Sequence, residues 1–197
     1  MSNPFHKAKW MAGYPETVSG TGSMMKSTEN VRTNLPEIIK KYNIKSVFDA
    51  PCGDRNWIKS VDFSELGCTY EGGDIIEDVV KDINLPYVKL FDLRNTEFPQ
   101  VDLWFARDFL YHLSLKDINS VVGNALRSNV KYFLITSHLE SQSNHPKNAD
   151  INTGDYRCLI LREHDYFGMG DPIDGFFDCN INLAEEMLLF QNPNYTQ

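Results

Sequence analysis

Ser46-Val47-Phe48-Asp49-Ala50-Pro51-Cys52-Gly53-Asp54-Arg55-Asn56-Trp57 passes from apolar, strand-forming residues straight into Pro, Gly and small polar side chains. A short apolar run closed by such residues reads as a buried strand ending in a sharp turn. The chain on either side supports that reading. Upstream, Val31, Leu35, Ile38, Ile39 and Tyr42 recur at helical spacing, with Thr28 as an N-cap and Asn43 as a left-handed terminator. Pro36 implies either a kink in that helix or a start near Asn34.

Downstream, Trp57, Ile58 and Val61 suggest a short helix, and residues 68–75 a second strand that ends in Gly72-Gly73-Asp74-Ile75. Ile76, Val79, Val80 and Ile83 form one apolar stripe, and Val88-Lys89-Leu90-Phe91-Asp92 reads as a third strand. Residues 101–106 read as a fourth strand. Ser114 and Asp117 form a capping pair ahead of the stripe Leu115, Ile118, Val121, Val122, Ala125 and Leu126, and residues 132–136 follow as another buried strand. Two late apolar runs, 158–161 and 187–190, are expected to close the sheet as strands. Strands alternating with amphipathic helices predict an α/β fold: a mostly parallel, seven-stranded sheet with helices on both faces, preceded by an irregular N-terminal arm rich in glycine.

At 197 residues, with 42% hydrophobic residues, the chain is expected to form one domain. Within it, residues 1–43 would be arm and helix, 44–139 the ligand-binding core and 140–197 a substrate loop with C-terminal strands. The net charge of -8 disfavours nucleic acid as a partner, because phosphate binding rests on clustered cations. Cys52, Cys68, Cys158 and Cys179 show no paired spacing, so no zinc site or disulfide framework is expected. With no signal-like segment and no apolar run long enough for a membrane helix, a cytoplasmic protein without a membrane partner is the expectation. His138, His145 and Asp150 lack ligand spacing, so no metal is expected there. Oligomeric state is not readable.

Ligands of such sheets settle at the carboxyl ends of the strands, where a glycine permits close approach. The turn at Gly53 has two readings at this level, a binding loop or a plain surface turn with Asp54 capping a helix. The motifs around it decide for the first. Asp49-Ala50-Pro51-Cys52-Gly53-Asp54 resembles the first motif of class I S-adenosylmethionine-dependent methyltransferases. Gly72-Gly73-Asp74-Ile75 resembles the second, Phe91-Asp92-Leu93 the third, and residues 101–113 the fourth, in the family's order and spacing. More narrowly, Gly20-Thr21-Gly22-Ser23, Arg107-Asp108 and Thr153-Gly154-Asp155-Tyr156-Arg157 resemble a bacterial and phage branch of that family.

The resemblance implies S-adenosylmethionine as cofactor, held by Asp49, Ala50, Pro51, Gly53, Asp74, Ile75, Asp92, Leu93 and Arg107. Asp74 would take the ribose hydroxyls, or serve as a helix N-cap, or both. Pro51 and Arg55 depart from the family's glycines, so some turn amides would be lost to the ligand. The absence of GxGxxG disfavours a nicotinamide dinucleotide, whose pyrophosphate needs that turn. Arg107, Asp108 and His112 are the catalytic candidates, with His112 as base and Asp108 orienting the acceptor or the cofactor's ammonium. A packing role for His112 and an ion pair for Arg107 are the alternatives.

Arg32, Tyr156 and Arg157 are the substrate-binding candidates, and the long polar stretch 138–155 is a candidate lid. Trp10 and Tyr14 argue against a wholly disordered arm. No Asn/Asp-Pro-Pro-Tyr motif follows the fourth strand, so a small polar acceptor such as a sugar, a metabolite or a glycan precursor is expected, methylated at oxygen. A non-catalytic protein keeping the same fold, and a nicotinamide-dependent oxidoreductase, are the competing functions.

Overall fold

The computed structural model describes residues 15–139, 148–162, 167–178 and 185–196. Trp10, Tyr14, His145 and Cys179, named above, lie outside them. Helix α1, Glu29–Lys41, precedes strand β1, Ser46–Asp49. Then come β2 Thr69–Asp74, α2 Glu77–Ile83, β3 Val88–Leu90, β4 Leu103–Ala106, α3 Leu115–Arg127, β5 Tyr132–His138, β6 Asp174–Phe177 and β7 Glu185–Gln191. They form a seven-stranded sheet in the order β3-β2-β1-β4-β5-β7-β6. The pairs from β3 through β5 are parallel, and β7 runs antiparallel to both β5 and β6.

Side-chain alternation along the strands builds two cores, one on each face of the sheet. Phe48, Trp104, Ala106, Phe133, Ile135, Leu188 and Phe190 point to the face covered by Ile118, Val121, Val122 and Ala125 of α3. Val47, Leu103, Phe105, Tyr132, Leu134, Met187 and Leu189 point to the other, under Val31, Leu35, Ile38 and Ile39 of α1. The central strand β4 is buried along its whole length, which is why its sequence reads as a continuous apolar run.

Several local expectations shift. α1 runs unbroken through Pro36 and Asn43 follows it at φ 51°, but the Thr28 hydroxyl bonds back to Met24 and Met25 carbonyls instead of capping. The Trp57–Val61 helix is a single 3-10 turn, Ile58–Ser60. Residues 158–161 are no strand, although Cys158, Leu159, Ile160 and Leu161 are buried. They lie along the end of β5, where His138 N–H donates to the Leu159 carbonyl and Leu161 N–H to Ser137 Oγ. The position at the sheet edge belongs to Asp174–Phe177, a short, half-exposed strand with only two apolar residues, too few to read as a run. Among the described residues no helix is long and apolar enough to cross a membrane.

Candidate active site

A cavity of about 510 Å³ opens at the carboxyl ends of β1, β2 and β4, a size within the range of sites for small ligands. Its floor is the β1 turn. Gly53 sits at φ 53° and Arg55 at φ 59°, so Arg55 holds the left-handed conformation that glycine adopts freely. The Arg55 guanidinium turns away from the cavity onto the Tyr70 and Tyr87 rings, 5.0 and 5.3 Å from their centroids. The turn amides are engaged within the protein: Cys52 N–H with the Gly73 carbonyl, Gly53 N–H with Asp74, Asp54 N–H with Ser19 Oγ and Arg55 N–H with the Cys52 carbonyl. They are not offered to a ligand as the turn alone suggested; what faces the cavity is bare Gly53 and side-chain carboxylates.

Asp49 ends β1, is 3% exposed and accepts a 2.7 Å hydrogen bond from the Tyr70 hydroxyl. Burial pushes its carboxyl up to about 7, against the Tyr70 bond and the Arg55 charge. Asp74 ends β2, accepting from Gly53 N–H and Ile76 N–H at 2.9 Å each. It therefore closes the start of α2 and lines the cavity at once, and its two oxygens, with about four lone-pair sites between them, keep acceptor capacity beyond these backbone bonds. Burial raises its pKa as well, opposed by those backbone bonds. Gly73 just before it leaves room for two aromatics: a Cβ there would lie 2.8 Å from Phe48 Cζ and 2.9 Å from Phe91 Cβ.

The arm roofs the cavity. Asp54 fastens it, accepting from Thr17 Oγ1 and Val18 N–H at 2.8 Å and from Ser19 Oγ at 3.1 Å. Asp54 is thus not the helix cap that the turn alone suggested. Residues Val18 to Ser23 line the cavity from above, and a Cβ on Gly53 would collide with Ser19 Oγ. Arg107, buried after β4, ties the arm to the far wall: Nη1 donates to the Gly22 carbonyl at 2.9 Å and Nε to Asp178 Oδ1 at 2.9 Å. Nη1 also pairs with Asp108 Oδ2 at 2.9 Å. Burial works against the guanidinium's charge, yet Asp108 and Asp178 hold its pKa well above the ordinary value.

His112 and Tyr156 line the same cavity. The His112 Nδ1 lies 2.8 Å from the Asp155 carbonyl oxygen. A carbonyl only accepts, so in the neutral ring Nδ1 carries the hydrogen. Residues 148–157 dock against this turn: Gly154 N–H donates to the His112 carbonyl and Ser114 N–H to Thr153 Oγ1. Tyr156 contacts His138 through its hydroxyl at 2.9 Å.

The remaining candidates divide between the cavity wall and other places. Ala50 is fully buried, its carbonyl accepting from Trp104 Nε1 at 2.8 Å. Asp92 and Leu93 line a separate crevice of about 20 Å³. Pro51 and Ile75 form walls of both that crevice and the main cavity. Arg94 covers Asp92 with bonds of 2.9 and 2.7 Å and, as the leading cause, lowers its pKa. Arg32 reaches back to the Met25 carbonyl at 2.9 Å, and Arg157 is buried against the Ala149 carbonyl at 3.1 Å; neither is among the cavity-lining residues. Sequence reasoning missed Ser19, Asp178 and Glu185, because no motif marks them and only tertiary contact brings them here.

No protein-family model matches the chain, and no curated protein matches it. Solved structures do. The PH0226 protein of Pyrococcus horikoshii OT3 superposes with TM-score 0.64 at 14% identity, over 93% of this chain and 98% of that one. Human N-acetylserotonin methyltransferase in complex with SAM gives TM-score 0.58 at 12% identity over 90% of this chain, which spans 59% of that protein. Burkholderia thailandensis 1,6-didemethyltoxoflavin-N1-methyltransferase, with bound 1,6-didemethyltoxoflavin and S-adenosylhomocysteine, gives TM-score 0.58 at 16% identity over 83% of this chain and 78% of that one. The strand order, the carboxylates at the ends of β1 and β2 and these superpositions agree: the chain has the Rossmann-like fold of class I S-adenosylmethionine-dependent methyltransferases.

Proposed function

We propose that the protein is an S-adenosylmethionine-dependent methyltransferase, one domain acting on a small polar acceptor at oxygen. The observation that carries this reading is the roofed cavity into which Asp49, Gly53 and Asp74 converge from separate strand ends. The residues fit the cofactor. Asp74 retains acceptor capacity for ribose hydroxyls, Asp49 offers a buried carboxylate to a cation, and Pro51 and Ile75 provide an apolar wall. When bound, S-adenosylmethionine supplies an electrophilic methyl group on a sulfonium.

The chain's own part is alignment, desolvation and one proton transfer. The arm from Val18 to Ser23, tied down by Asp54 and Arg107, keeps water from the cavity. Arg107 acts as this tie, with its guanidinium engaged by Asp108, Asp178 and the Gly22 carbonyl. His112, fixed as the Nδ1–H tautomer, takes the acceptor hydroxyl's proton at Nε2. Tyr156 orients the acceptor from the 148–157 segment. Isothermal titration with S-adenosylhomocysteine tests the reading: the folded protein is expected to bind with micromolar affinity, and an absence of heat at high micromolar ligand overturns it. In parallel, NADH should leave the protein's fluorescence unchanged.

A further inference from the structure

Three acids from three places in the chain meet beside the cavity, two of them, Asp108 and Glu185, lining it. Asp108 follows β4, Asp178 follows β6 and Glu185 opens β7. One carboxylate oxygen of each lies within 4.8 Å of the others. Among the described residues the Arg107 guanidinium pairs with the two aspartates, engaging one oxygen of each: Oδ1 of Asp178 and Oδ2 of Asp108. The opposite oxygens, Asp178 Oδ2 and Asp108 Oδ1, are buried and make no hydrogen bond of good geometry; Tyr111 stands close enough to Asp108 to oppose the rise in its pKa, whereas among the described residues Asp178 Oδ2 has nothing comparable. The Asp178 side chain is 0% exposed. Glu185 Oε1 stands 3.3 Å from His138 Nε2. His138 Nδ1 accepts the Leu159 N–H, which puts the neutral ring's hydrogen on Nε2, shared between the Tyr156 hydroxyl at 2.9 Å and Glu185.

An ionised carboxylate oxygen buried without a partner is costly, and three carboxylates around one guanidinium leave negative charge uncompensated. Burial correspondingly raises the pKa of both aspartates, against the opposing pull of Arg107. Among the described residues the cluster offers carboxylate oxygens, a set suited to a hard cation rather than to one that prefers nitrogen or sulfur. Asp108 and Glu185 also line the main cavity, so the site is reachable from it.

We propose that Asp108, Asp178 and Glu185 form a binding site for a divalent cation of the Mg²⁺ or Mn²⁺ type at the acceptor end of the cavity, where the ion would also take an oxygen of the acceptor. Only that last clause rests on the methyltransferase reading. Linear spacing conceals the site, since Asp108 is far in sequence from its two partners.

The test is Mn²⁺ binding to the full chain, stripped with EDTA and dialysed, read by electron paramagnetic resonance and repeated with Mg²⁺ as competitor. One Mn²⁺ per chain, with Kd below about 1 mM, is expected, weakened at least tenfold in Glu185→Gln and in Asp178→Asn. Asp178→Asn also removes a partner of Arg107, so thermal melting in EDTA establishes that each variant is folded. Glu185→Gln keeps the shape and leaves the Arg107 contacts intact, and so reads the site by itself. No binding to the folded wild type at millimolar Mn²⁺ overturns the proposal, as does binding that both variants retain; the raised carboxyls would then be held neutral by protons. S-adenosylhomocysteine titrated in the same samples separates the readings: Mn²⁺ binding without nucleoside binding overturns the methyltransferase function but not the cation site, and the reverse result overturns the site alone.

Discussion

Asp54→Ala should release the roof of the cavity without damaging the sheet. Its carboxylate accepts from Thr17 Oγ1, Val18 N–H, Ser19 Oγ and Asn56 N–H at 2.8, 2.8, 3.1 and 3.2 Å. The Asn56 bond lies within the turn; the other three hold the arm, and in this half-buried setting each contributes about 0.5–1 kcal/mol net, so losing them weakens arm docking by about 1.5–3 kcal/mol. At 1.4 kcal/mol per decade, the docking equilibrium falls roughly 10- to 140-fold. Two assays read this. Hydrogen exchange at the Val18 amide should accelerate by up to that factor, limited by the protection it starts with. Affinity for S-adenosylhomocysteine should fall as the docked fraction falls, since apparent affinity scales with the competent population. The described residues of the arm lie outside the two core clusters apart from Met25 at their edge, so thermal unfolding should remain cooperative. Unchanged Val18 protection together with unchanged ligand affinity would refute the fastening role given to Asp54.

Other substitutions reach different links of the same account. Gly73→Ala forces a Cβ to within 2.8 Å of Phe48 Cζ and 2.9 Å of Phe91 Cβ; overpacking of this kind costs about 1–3 kcal/mol, a lowered melting temperature is expected, and a wild-type melt would contradict the packing described. Asp49, pushed up to about 7 from an ordinary 3.8, holds a proton in the folded chain that the unfolded chain has lost between those values. Its stabilising contribution is therefore present in full below about pH 4 and disappears as pH rises through 7, a slope that Asp49→Asn should remove from a pH series of melting curves. If a cation settles beside it, ligand binding at pH 6 should release a proton, measurable as a dependence of calorimetric enthalpy on buffer; an enthalpy identical in all buffers would place Asp49 away from the ligand's charge. With an acceptor found by screening, His112→Ala should lower kcat by about 10²–10⁴ with little change in S-adenosylhomocysteine affinity, and an undiminished kcat would remove His112 from the role of base.

The parts legible in the sequence are those where one element's own pattern decides its place. Val47 and Phe48 followed by Pro51 and Gly53 mark a strand and its turn, and the stripe from Leu115 to Leu126 marks a helix, whatever the rest of the chain does. β6 was not legible, because Asp174–Phe177 is a half-exposed edge strand without apolar alternation. Cys158–Leu161 misled for the converse reason: burial beside β5 makes a segment apolar whether or not it joins the ladder. The same division holds in the site. Asp49, Gly53 and Asp74 stand at strand ends that local pattern predicts, whereas the Asp54 grip on the arm and the convergence of Asp178 and Glu185 on Asp108 depend on contacts between distant segments. Arg32 and Arg157 were chosen for charge alone, and burial engages them with backbone carbonyls away from the cavity.

A crystal structure of the protein with S-adenosylhomocysteine would locate the ligand outright. The nucleoside is expected between the β1 turn and the arm, its ribose hydroxyls on the Asp74 carboxylate and its amino acid end toward Asp49 and the Arg107 tie. A ligand seated on any other surface, or a cavity that stays closed to it at saturating concentration, would refute the cofactor site described above.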